Sequence, residues 1–557
     1  MKILLVAINA KYIHSNPAVF SLRASCKEYQ SSVEIAEYTI NQQPGYILSD
    51  IYQRKPDVVA FSCYIWNRRI LTELIPDLKQ ILPDADLWAG GPEVTYDAKE
   101  TLCELPLRGV MTHAGEGSFS YLVKCYNEGQ SASLPAVLSL PPQTLNEIPF
   151  WYEDLSGFEH RIIYYESSRG CPFSCSYCLS SIEKCMDFRD KERVTRELQF
   201  FLDKQVPQVK FIDRTFNCKK DHALYIWQFI LTHDNGVTNF HFEVAADLLD
   251  EEMLSVLEQM RPGAVQLEIG VQSTNPATIA EINRKMDFEK VAHIVSRILS
   301  WNNIHLHLDL IAGLPFEDLE TFCHSFDDVY ALHPEQLQLG FLKVLKGSVM
   351  YENRQSYGLR YRNQPPYEVL STNWLSFSEI CGLKQVEEMV EIYYNSGQFS
   401  HTLTLLEQQY ASSYELYRQL ADFYNSRGYF DVSASRLKKY ELLLDFALSV
   451  DPARENRYRE SLIYDLYLRE NVKNRPAFGM SIDHYHDAIN EWLHKEAQTH
   501  AALPMLSERN FRQLLTSLHI EVFTHLFDAP QMVVFHYDTR NPLTNNCETY
   551  TESLALI

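Results

Sequence analysis

The sequence lacks several features that would place it in a specialised class. It contains no run of about 18 apolar residues, so it predicts no membrane span. Twelve cysteines in 557 residues are too few for a disulfide scaffold. Basic residues are also scarce, 50 against 73 acidic ones, and the net charge of −23 argues against general binding to nucleic acid or anionic membranes. A local basic patch remains open.

The composition is that of a folded, multidomain chain. Apolar residues make up 46% and charged residues 22%, and the length suggests three or four domains. The start, Met1–Ile8, is apolar, but it turns polar at Asn9 and no small-residue cleavage site follows. We therefore interpret it as a buried strand and not as a signal peptide.

Residues 1–130 alternate apolar strands with helical patterns, which predicts a doubly wound parallel sheet. Ligands bind such sheets at the carboxyl ends of their strands. The polar and glycine-rich turns at that edge are expected to form a site for a large flat ligand. They comprise Ser62, Tyr64, Gly90, Gly91, Pro92, Glu93, Gly115, Glu116 and Gly117.

The rest of the chain divides into three predicted segments. Residues 131–160 are rich in proline and are interpreted as a linker. Residues 161–365 contain six strand patterns separated by helical ones, which predicts a partial (β/α)6 barrel like that of triosephosphate isomerase, with its site at the carboxyl ends of the strands. The six strands are expected at 161–166, 209–213, 239–244, 265–271, 305–312 and 336–342. Residues 366–557 are mainly helical in pattern and show no motif that reveals a role.

Three cysteines follow the first barrel strand with the spacing C-x3-C-x2-C: Cys171, Cys175 and Cys178. Thiolates suit zinc, copper(I) or iron–sulfur clusters. A structural zinc site needs four ligands, and the nearest further thiol, Cys185, lies outside the compact loop. Three thiolates fit a 4Fe-4S cluster with one iron open to a substrate. A zinc site that recruits Cys185 or a distant histidine is the alternative.

This motif, with the aromatic Tyr177 just before the last cysteine, resembles the radical S-adenosylmethionine (SAM) superfamily. The preceding doubly wound domain is similar to that of its cobalamin-binding branch, and the likeness covers roughly residues 1–345. The resemblance implies that the open iron holds SAM and that SAM is cleaved to a 5′-deoxyadenosyl radical. It also implies contacts with SAM from residues near the strand ends, which are Tyr177, Asp213, Glu243, Glu268, Gln272, Arg284, Asp309 and Gly313.

The cobalamin half of the resemblance lacks one common motif. D-x-H-x-x-G, whose histidine ligates cobalt from below, is absent, and neither His14 nor His113 follows an aspartate at that spacing. The lower face of cobalamin is therefore unassigned. Candidate contacts are the loop 9–16, Tyr64 or Trp66, and the two glycine turns.

The resemblance implies an anaerobic cytoplasmic enzyme that methylates an unactivated carbon. Its expected cofactors are a 4Fe-4S cluster, SAM and cobalamin, and its expected partner is a one-electron reductant of the flavodoxin or ferredoxin type. The substrate class stays open among small molecules, lipids and peptides. Alternatives are radical cyclisation, rearrangement or oxidation without methyl transfer, a non-catalytic cobalamin or iron–sulfur sensor, and a zinc-stabilised scaffold.

Overall fold

A computed structural model describes residues 1–182 and 184–553 of the chain. The chain divides into two compact units, each described here by itself. The first comprises Met1–Ile304, Ile311–Asp318 and Gly340–Phe377. The second comprises His305–Leu310, Leu319–Leu339 and the residues from Ser378 onward.

The first unit begins with a parallel sheet in the order β2-β1-β3-β4-β5-β6. Its strands are β1 (Ile3–Asn9), β2 (Val33–Thr39), β3 (Val58–Ser62), β4 (Asp86–Gly90), β5 (Gly109–Met111) and β6 (Val137–Leu138). Its helices are α1 (Pro17–Ala24), α2 (Pro44–Arg54), α3 (Arg68–Ile81), α4 (Pro92–Thr95), α5 (Ala98–Glu104) and α6 (Gly115–Asn127). Every residue of β1 and β3 is buried, as expected for strands covered on both faces. The predicted doubly wound sheet is confirmed.

Strand β6 falls inside the segment predicted to be a linker. It pairs in parallel with β5, so part of this proline-rich segment completes the first sheet. A two-residue strand is too short to leave a recognisable pattern in the sequence.

A second set of strands alternates with helices, as the sequence predicts. The strands are β7 (Ile163–Tyr165), β8 (Ser168–Arg169), β9 (Asp187–Phe188), β10 (Gln208–Phe211), β11 (Asn239–Glu243), β12 (Val265–Gln272), β13 (Ile304–Ala312) and β14 (Gln336–Phe341). The helices are α7 (Lys191–Asp203), α8 (Lys220–His233), α9 (Glu251–Glu258), α10 (Pro276–Glu281), α11 (Phe288–Ser300) and α12 (Leu319–Tyr330). In the first unit, β7, β10, β11 and β12 pair in parallel in that order.

Strand β12 shows why the polar side chains gather on one face. Val265, Leu267, Ile269 and Val271 are fully buried, whereas Gln266, Glu268 and Gly270 between them are half-buried. Side chains alternate along a strand, so the polar residues share the face opposite the apolar one.

The remaining elements complete both units. They are α13 (Val349–Glu352), β15 (Arg360–Tyr361), β16 (Val369–Ser371), α14 (Phe377–Met389), α15 (Ser400–Glu407), α16 (Ser413–Ser426), α17 (Arg436–Val450), α18 (Glu455–Arg469), α19 (His486–Thr499), α20 (Phe511–Ser517), β17 (Leu518–Phe523), β18 (Gln531–Arg540) and β19 (Cys547–Ser553). Most of this region is helical, as predicted, but β17, β18 and β19 form an antiparallel sheet that was not expected. In the described residues we find no helix with the length and hydropathy needed to cross a bilayer.

Candidate functional site

The three motif cysteines lie on one loop that follows β8. Cys171 and Cys175 are buried and Cys178 is half-buried. Backbone hydrogen bonds hold the loop on both sides, because the Ser176 amide donates to Ile282 O at 2.9 Å and Ser176 O accepts from the Met350 amide at 2.8 Å. Cys185 is exposed. The loop therefore presents three thiols from a fixed backbone.

The distances between the three Sγ atoms bear on which kind of metal site they could form. In the described part of the chain, the three Sγ atoms do not gather within 4.8 Å of one another. Tetrahedral zinc, with Zn–S bonds of about 2.3 Å, brings its sulfur ligands to about 3.8 Å. At least one pair of Sγ atoms is therefore farther apart than it would be if the three thiolates were closed around a single zinc ion.

Asp213, which is predicted to contact SAM, is fully buried. Its Oδ1 accepts from the Ser167 amide at 2.8 Å, and its Oδ2 accepts from the hydroxyls of Ser167 and Ser168 at 2.7 and 2.6 Å. Both carboxylate oxygens are therefore engaged with the segment that leads into Cys171. These contacts make Asp213 a support for the segment that leads into the cysteine loop, and its contact with SAM stays a prediction.

His222, on α8, extends this support and was missed by the sequence analysis. Its Nε2 lies 2.9 Å from Ser167 Oγ. Because Ser167 donates its hydroxyl proton to Asp213, His222 Nε2 must be the donor in this contact. Burial lowers the pKa of His222 to about 4 and raises that of Asp213 to about 6. Burial thus disfavours the charged form of both Asp213 and His222, which are linked through Ser167.

Arg284 approaches the cysteine loop from the other side. Its Nη1 lies 3.7 Å from Cys175 Sγ and 3.4 Å from the Tyr177 hydroxyl, and its Nη2 donates to Gly270 O. Burial raises the pKa of the Cys175 thiol, and the guanidinium opposes that shift. The structure therefore brings Tyr177, Cys175 and Arg284 together, as the sequence predicts for one site.

Two buried polar atoms beside this loop have no hydrogen-bond partner among the described residues. They are Arg284 Nε, a donor, and Gln272 Oε1, an acceptor. Gln272 ends β12 in a left-handed conformation, with φ of 74°, and is buried. Unpaired buried polar groups are costly, so this donor and this acceptor are open to hydrogen bonds from a polar ligand.

Glu268, predicted to orient SAM, is paired within the protein. Its Oε2 lies 3.1 Å from Lys210 Nζ and 3.0 Å from His241 Nε2, on the two neighbouring strands. Burial would raise the pKa of Glu268, but these two partners lower it to about 2. Glu268 is therefore an ionised partner of Lys210 and His241, and its predicted contact with SAM stays a prediction.

Three further predicted positions are placed as follows. Glu243 ends β11 and is half-buried. Gly313 lies against Val369, since a Cβ there would come within 2.7 Å of Val369 Cγ1, so the Val369 side chain fills the space beside this glycine. Asp309, on β13, belongs to the second unit and forms an ion pair with His307 at 3.0 Å.

A cavity of about 370 Å³ lies between the carboxyl edge of the first sheet and the segment that precedes Cys171, within the first unit. The predicted residues that line it are Ser62, Tyr64, Gly90, Gly91, Pro92, Gly115 and Glu116. Residues that line it but were not predicted include Tyr96, Glu166, Arg169 and Arg214. The edge of the sheet and the cysteine-bearing segment therefore share one cavity.

Two predicted contacts of this edge have other roles. Glu93 accepts a hydrogen bond from the Tyr367 hydroxyl at 2.9 Å, and burial raises its pKa. Gly117 packs near Pro141 O, which a Cβ would approach to 3.3 Å. Gly91 lines the cavity, but glycine is required there because of the backbone conformation and the packing against Cys63. Its φ is +114° and a Cβ would lie 2.5 Å from Cys63 O.

Arg169, two residues before Cys171, carries the main ion pairs of the cavity wall. It contacts Glu116 Oε1 at 2.8 Å and Glu166 Oε2 at 2.7 Å. Burial would raise the pKa of Glu116, but Arg169 lowers it. Glu116 is therefore committed to Arg169, and this pair joins the first sheet domain to the cysteine loop.

The aromatic and histidine candidates fall into two groups. Tyr64 and Trp66 stack with ring centroids 4.5 Å apart, and Tyr64 lines the cavity. His113 also lines it. His14 Nδ1 lies 2.6 Å from the Tyr164 hydroxyl, so this end of the loop 9–16 contacts β7.

Three family models match the chain. Residues 3–123 match the B12 binding domain, residues 165–329 match the radical SAM superfamily, and residues 355–535 match a family described as a protein of unknown function, DUF4080. The first two matches coincide with the doubly wound sheet and with the strands that surround the cysteine loop.

Curated relatives share the combination of domains at low identity. The cobalamin-dependent radical SAM methyltransferase TokK of Streptomyces tokunonensis is 24% identical over 372 residues, which are 57% of this chain and 52% of TokK. The 2-(S-pantetheinyl)-carbapenam-3-carboxylate methyltransferase of Streptantibioticus cattleyicolor is 22% identical over 69% of this chain and 65% of its own length. The chain thus spans between about half and two thirds of these two relatives.

Solved structures show the same fold. The radical SAM methyltransferase TsrM of Kitasatospora setae, with cobalamin and a [4Fe-4S] cluster bound, has a TM-score of 0.52 at 15% identity and covers 66% of this chain and 79% of its own. The cobalamin-dependent radical enzyme OxsB, with aqua-cobalamin and SAM bound, has a TM-score of 0.58 at 13% identity and covers 92% of this chain and 82% of its own.

Proposed function

We propose that this chain, in which residues 3–123 match the B12 binding domain and residues 165–329 match the radical SAM superfamily, methylates an unactivated carbon using a 4Fe-4S cluster, SAM and cobalamin. The cavity shared by the sheet edge and the cysteine loop is the observation that supports this most directly. It lies where a flat cofactor at the sheet edge faces the loop that would hold the cluster.

The residues present fit these groups. Three thiols on one fixed loop supply the donor set of a cluster with an open iron. The unpartnered Arg284 Nε and Gln272 Oε1 supply a donor and an acceptor for the carboxylate and ammonium of SAM. Tyr64 and the turn at Gly90–Gly91 would contact cobalamin.

When bound, these cofactors supply a 5′-deoxyadenosyl radical and a transferable methyl group. Cys171, Cys175 and Cys178 would hold the cluster. Asp213 and His222 hold the backbone before Cys171, and Arg284 fixes the loop at Cys175. Arg169 ties Glu116 to the same segment, so the separation of the two cofactor sites is fixed by an ion pair. Burial of the loop limits the access of water to a reactive radical.

Two parts of the proposal concern partners. The cleavage of SAM requires one electron, which we assign to a flavodoxin- or ferredoxin-type reductant. The substrate is a small molecule, a lipid or a peptide, and the net charge of −23 disfavours a nucleic acid.

Anaerobic reconstitution of the full chain with iron, sulfide and hydroxocobalamin tests the proposal. Under strong reductant the reconstituted chain should cleave SAM, and Cys175→Ala should lose both the cluster absorption and the cleavage. The matched control is Cys185→Ala, which should retain both because this thiol is exposed outside the loop. S-adenosylhomocysteine formed together with 5′-deoxyadenosine supports methyl transfer, whereas 5′-deoxyadenosine alone indicates radical chemistry without it. Cleavage that survives in Cys175→Ala contradicts the site.

A further inference from the structure

A second cavity, of about 350 Å³, lies wholly within the second unit. Its walls are partly aromatic and apolar, with Tyr330, Tyr394, Leu403 and Leu543 among them. It contains neither the motif cysteines nor any residue of the first cavity. The proposed radical chemistry therefore does not account for it.

The Arg469 guanidinium lines this cavity, which also contains Glu335 and Glu407, but it forms no ion pair among the described residues. Arg469, the last residue of α18, donates from Nη2 to Ser396 O at 2.8 Å, and its buried Nε has no partner among the described residues. Burial lowers the pKa of Arg469, and Asp465, which is itself bonded to His401 and Thr402, does not offset this. A half-buried guanidinium without an ion-pair partner attracts an anion.

The backbone is shaped to hold Arg469 in the wall. Gly397 has a φ of +61°, and a Cβ there would lie 2.6 Å from Arg469 Nη2. Arg540 Nη1 donates both to Arg469 O at 2.9 Å and to Asn545 O at 3.1 Å. The turn between β18 and β19 is thereby fixed beside the end of α18.

The turn between β18 and β19 and helix α15 contribute hydrogen-bond acceptors and a carboxylate to the same cavity. Asn546 Oδ1 is a buried acceptor without a partner among the described residues. Glu407 lines the cavity and accepts a hydrogen bond from the Tyr330 hydroxyl. Acceptors and a carboxylate suit an ammonium group, as the guanidinium suits a carboxylate.

We propose that this cavity binds an apolar α-amino acid as a zwitterion, with its carboxylate on Arg469, its ammonium group on Asn546 Oδ1 and Glu407, and its side chain among the aromatic residues. A cavity that offers charges of both signs and an apolar wall matches the three parts of such a ligand. The site is independent of the cysteine loop and of the proposed methylation.

Calorimetric titration of the full chain with four probes tests the site. L-phenylalanine and L-leucine carry all three features, 3-phenylpropionate lacks the ammonium group, and 2-phenylethylamine lacks the carboxylate. We expect at least one of the two amino acids to bind with a stoichiometry of one, and the two truncated probes to bind at least tenfold more weakly than the amino acid that binds more tightly. Absence of binding by both amino acids, or equal binding by a truncated probe, overturns the proposal.

Two variants locate the binding. Arg469→Gln removes the charge, and Thr404→Trp fills the cavity from an exposed position on α15 while leaving every charge in place. Each should weaken binding of the amino acid at least tenfold. Arg418→Gln, which changes a surface arginine paired with Glu415 and Asp422, is the matched control and should bind as the unaltered chain does. Unchanged binding in both Arg469→Gln and Thr404→Trp overturns the assignment.

Discussion

Arg169 and Glu116 form a buried ion pair, 2.8 Å long, between the residue that precedes Gly170-Cys171 and the first turn of α6. Glu166 shares the same guanidinium at 2.7 Å. A single guanidinium thus contacts two carboxylates and joins the first sheet domain to the loop of the three cysteines.

Replacing Arg169 by glutamine should destabilise the first unit. It leaves Glu116 and Glu166 without their cation, and the loss of one partner from a mostly buried pair costs about 2–3 kcal/mol. Urea unfolding measures the change. Arg69→Gln is the control, because Arg69 is 82% exposed and its pair with Glu73 spans 3.7 Å, so the free energy of unfolding should change by less than about 0.5 kcal/mol. Equal effects of the two substitutions would contradict the structural role of Arg169.

Asp213 and His222 should give opposite pH dependences of stability. The pKa of Asp213 is raised from 3.8 to about 6, so its contribution is complete below pH 3.8 and is lost as the pH rises through 6. The pKa of His222 is lowered from 6.5 to about 4, so its contribution is complete above pH 6.5 and is lost as the pH falls through 4.

The two single variants separate these contributions. In His222→Gln the remaining Asp213 should make the chain less stable as the pH rises from 4 to 6. In Asp213→Asn the remaining His222 should make it more stable over the same range, each by up to about 1 kcal/mol per pH unit. Urea midpoints measured at half-unit steps provide the comparison. The same change of stability with pH in both variants would contradict the opposite contributions of Asp213 and His222.

Glu268 and Arg284 should differ in their effect on SAM. Glu268 is held by Lys210 and His241, so Glu268→Gln should alter the dissociation constant of SAM by less than about twofold. The substitution should instead lower the stability of the chain. The pKa of Glu268 is lowered to about 2, so its contribution to stability is present above pH 4.5 and is lost as the pH falls through 2.

Arg284→Gln, beside Cys175, should weaken SAM binding by at least about tenfold, which corresponds to about 1.4 kcal/mol. Equilibrium binding of SAM to the reconstituted protein distinguishes the two variants. A large loss of affinity in Glu268→Gln with none in Arg284→Gln would reverse the assignment.

Gly91 should tolerate no side chain. An alanine there would meet Cys63 O at 2.5 Å with a φ of +114°, which should cost at least about 2 kcal/mol. Gly45, in the first turn of α2, has no atom within 4 Å of a built Cβ, so Gly45→Ala should be neutral or stabilise the chain by up to about 1 kcal/mol. Thermal unfolding of the two variants tests the contrast, and similar melting temperatures would refute it.

The fold was predictable where the pattern was local. Strand β12 alternates apolar and polar residues, and its observed bounds, Val265–Gln272, lie within one residue of the prediction. Local patterns also explain why the predicted parallel sheet and barrel strands are confirmed. The family resemblance, which rests on a short cysteine motif and the order of the domains, is confirmed as well. The antiparallel strand β18 was missed because its apolar run, Met532–Phe535, is too short to separate a strand from a buried helix by periodicity.

The partners of the site residues were not predictable in the same way. Asp213 bonds to Ser167, 46 positions away, and Arg169 bonds to Glu116, 53 positions away. Nothing in the local sequence reports such pairs. A polar residue at a strand end is therefore a sound candidate for a site, but whether it meets a ligand or supports the loop depends on contacts that only the tertiary structure contains.

The central claim is that the three thiolates hold a cluster with one iron left open for SAM. Electron paramagnetic resonance of the reconstituted, reduced protein, recorded with and without SAM, tests it most directly. A [4Fe-4S]⁺ signal whose g values shift when SAM is added is the expected result. A signal that SAM leaves unchanged, or a protein that binds zinc at Cys171, Cys175 and Cys178 in place of iron, would contradict it.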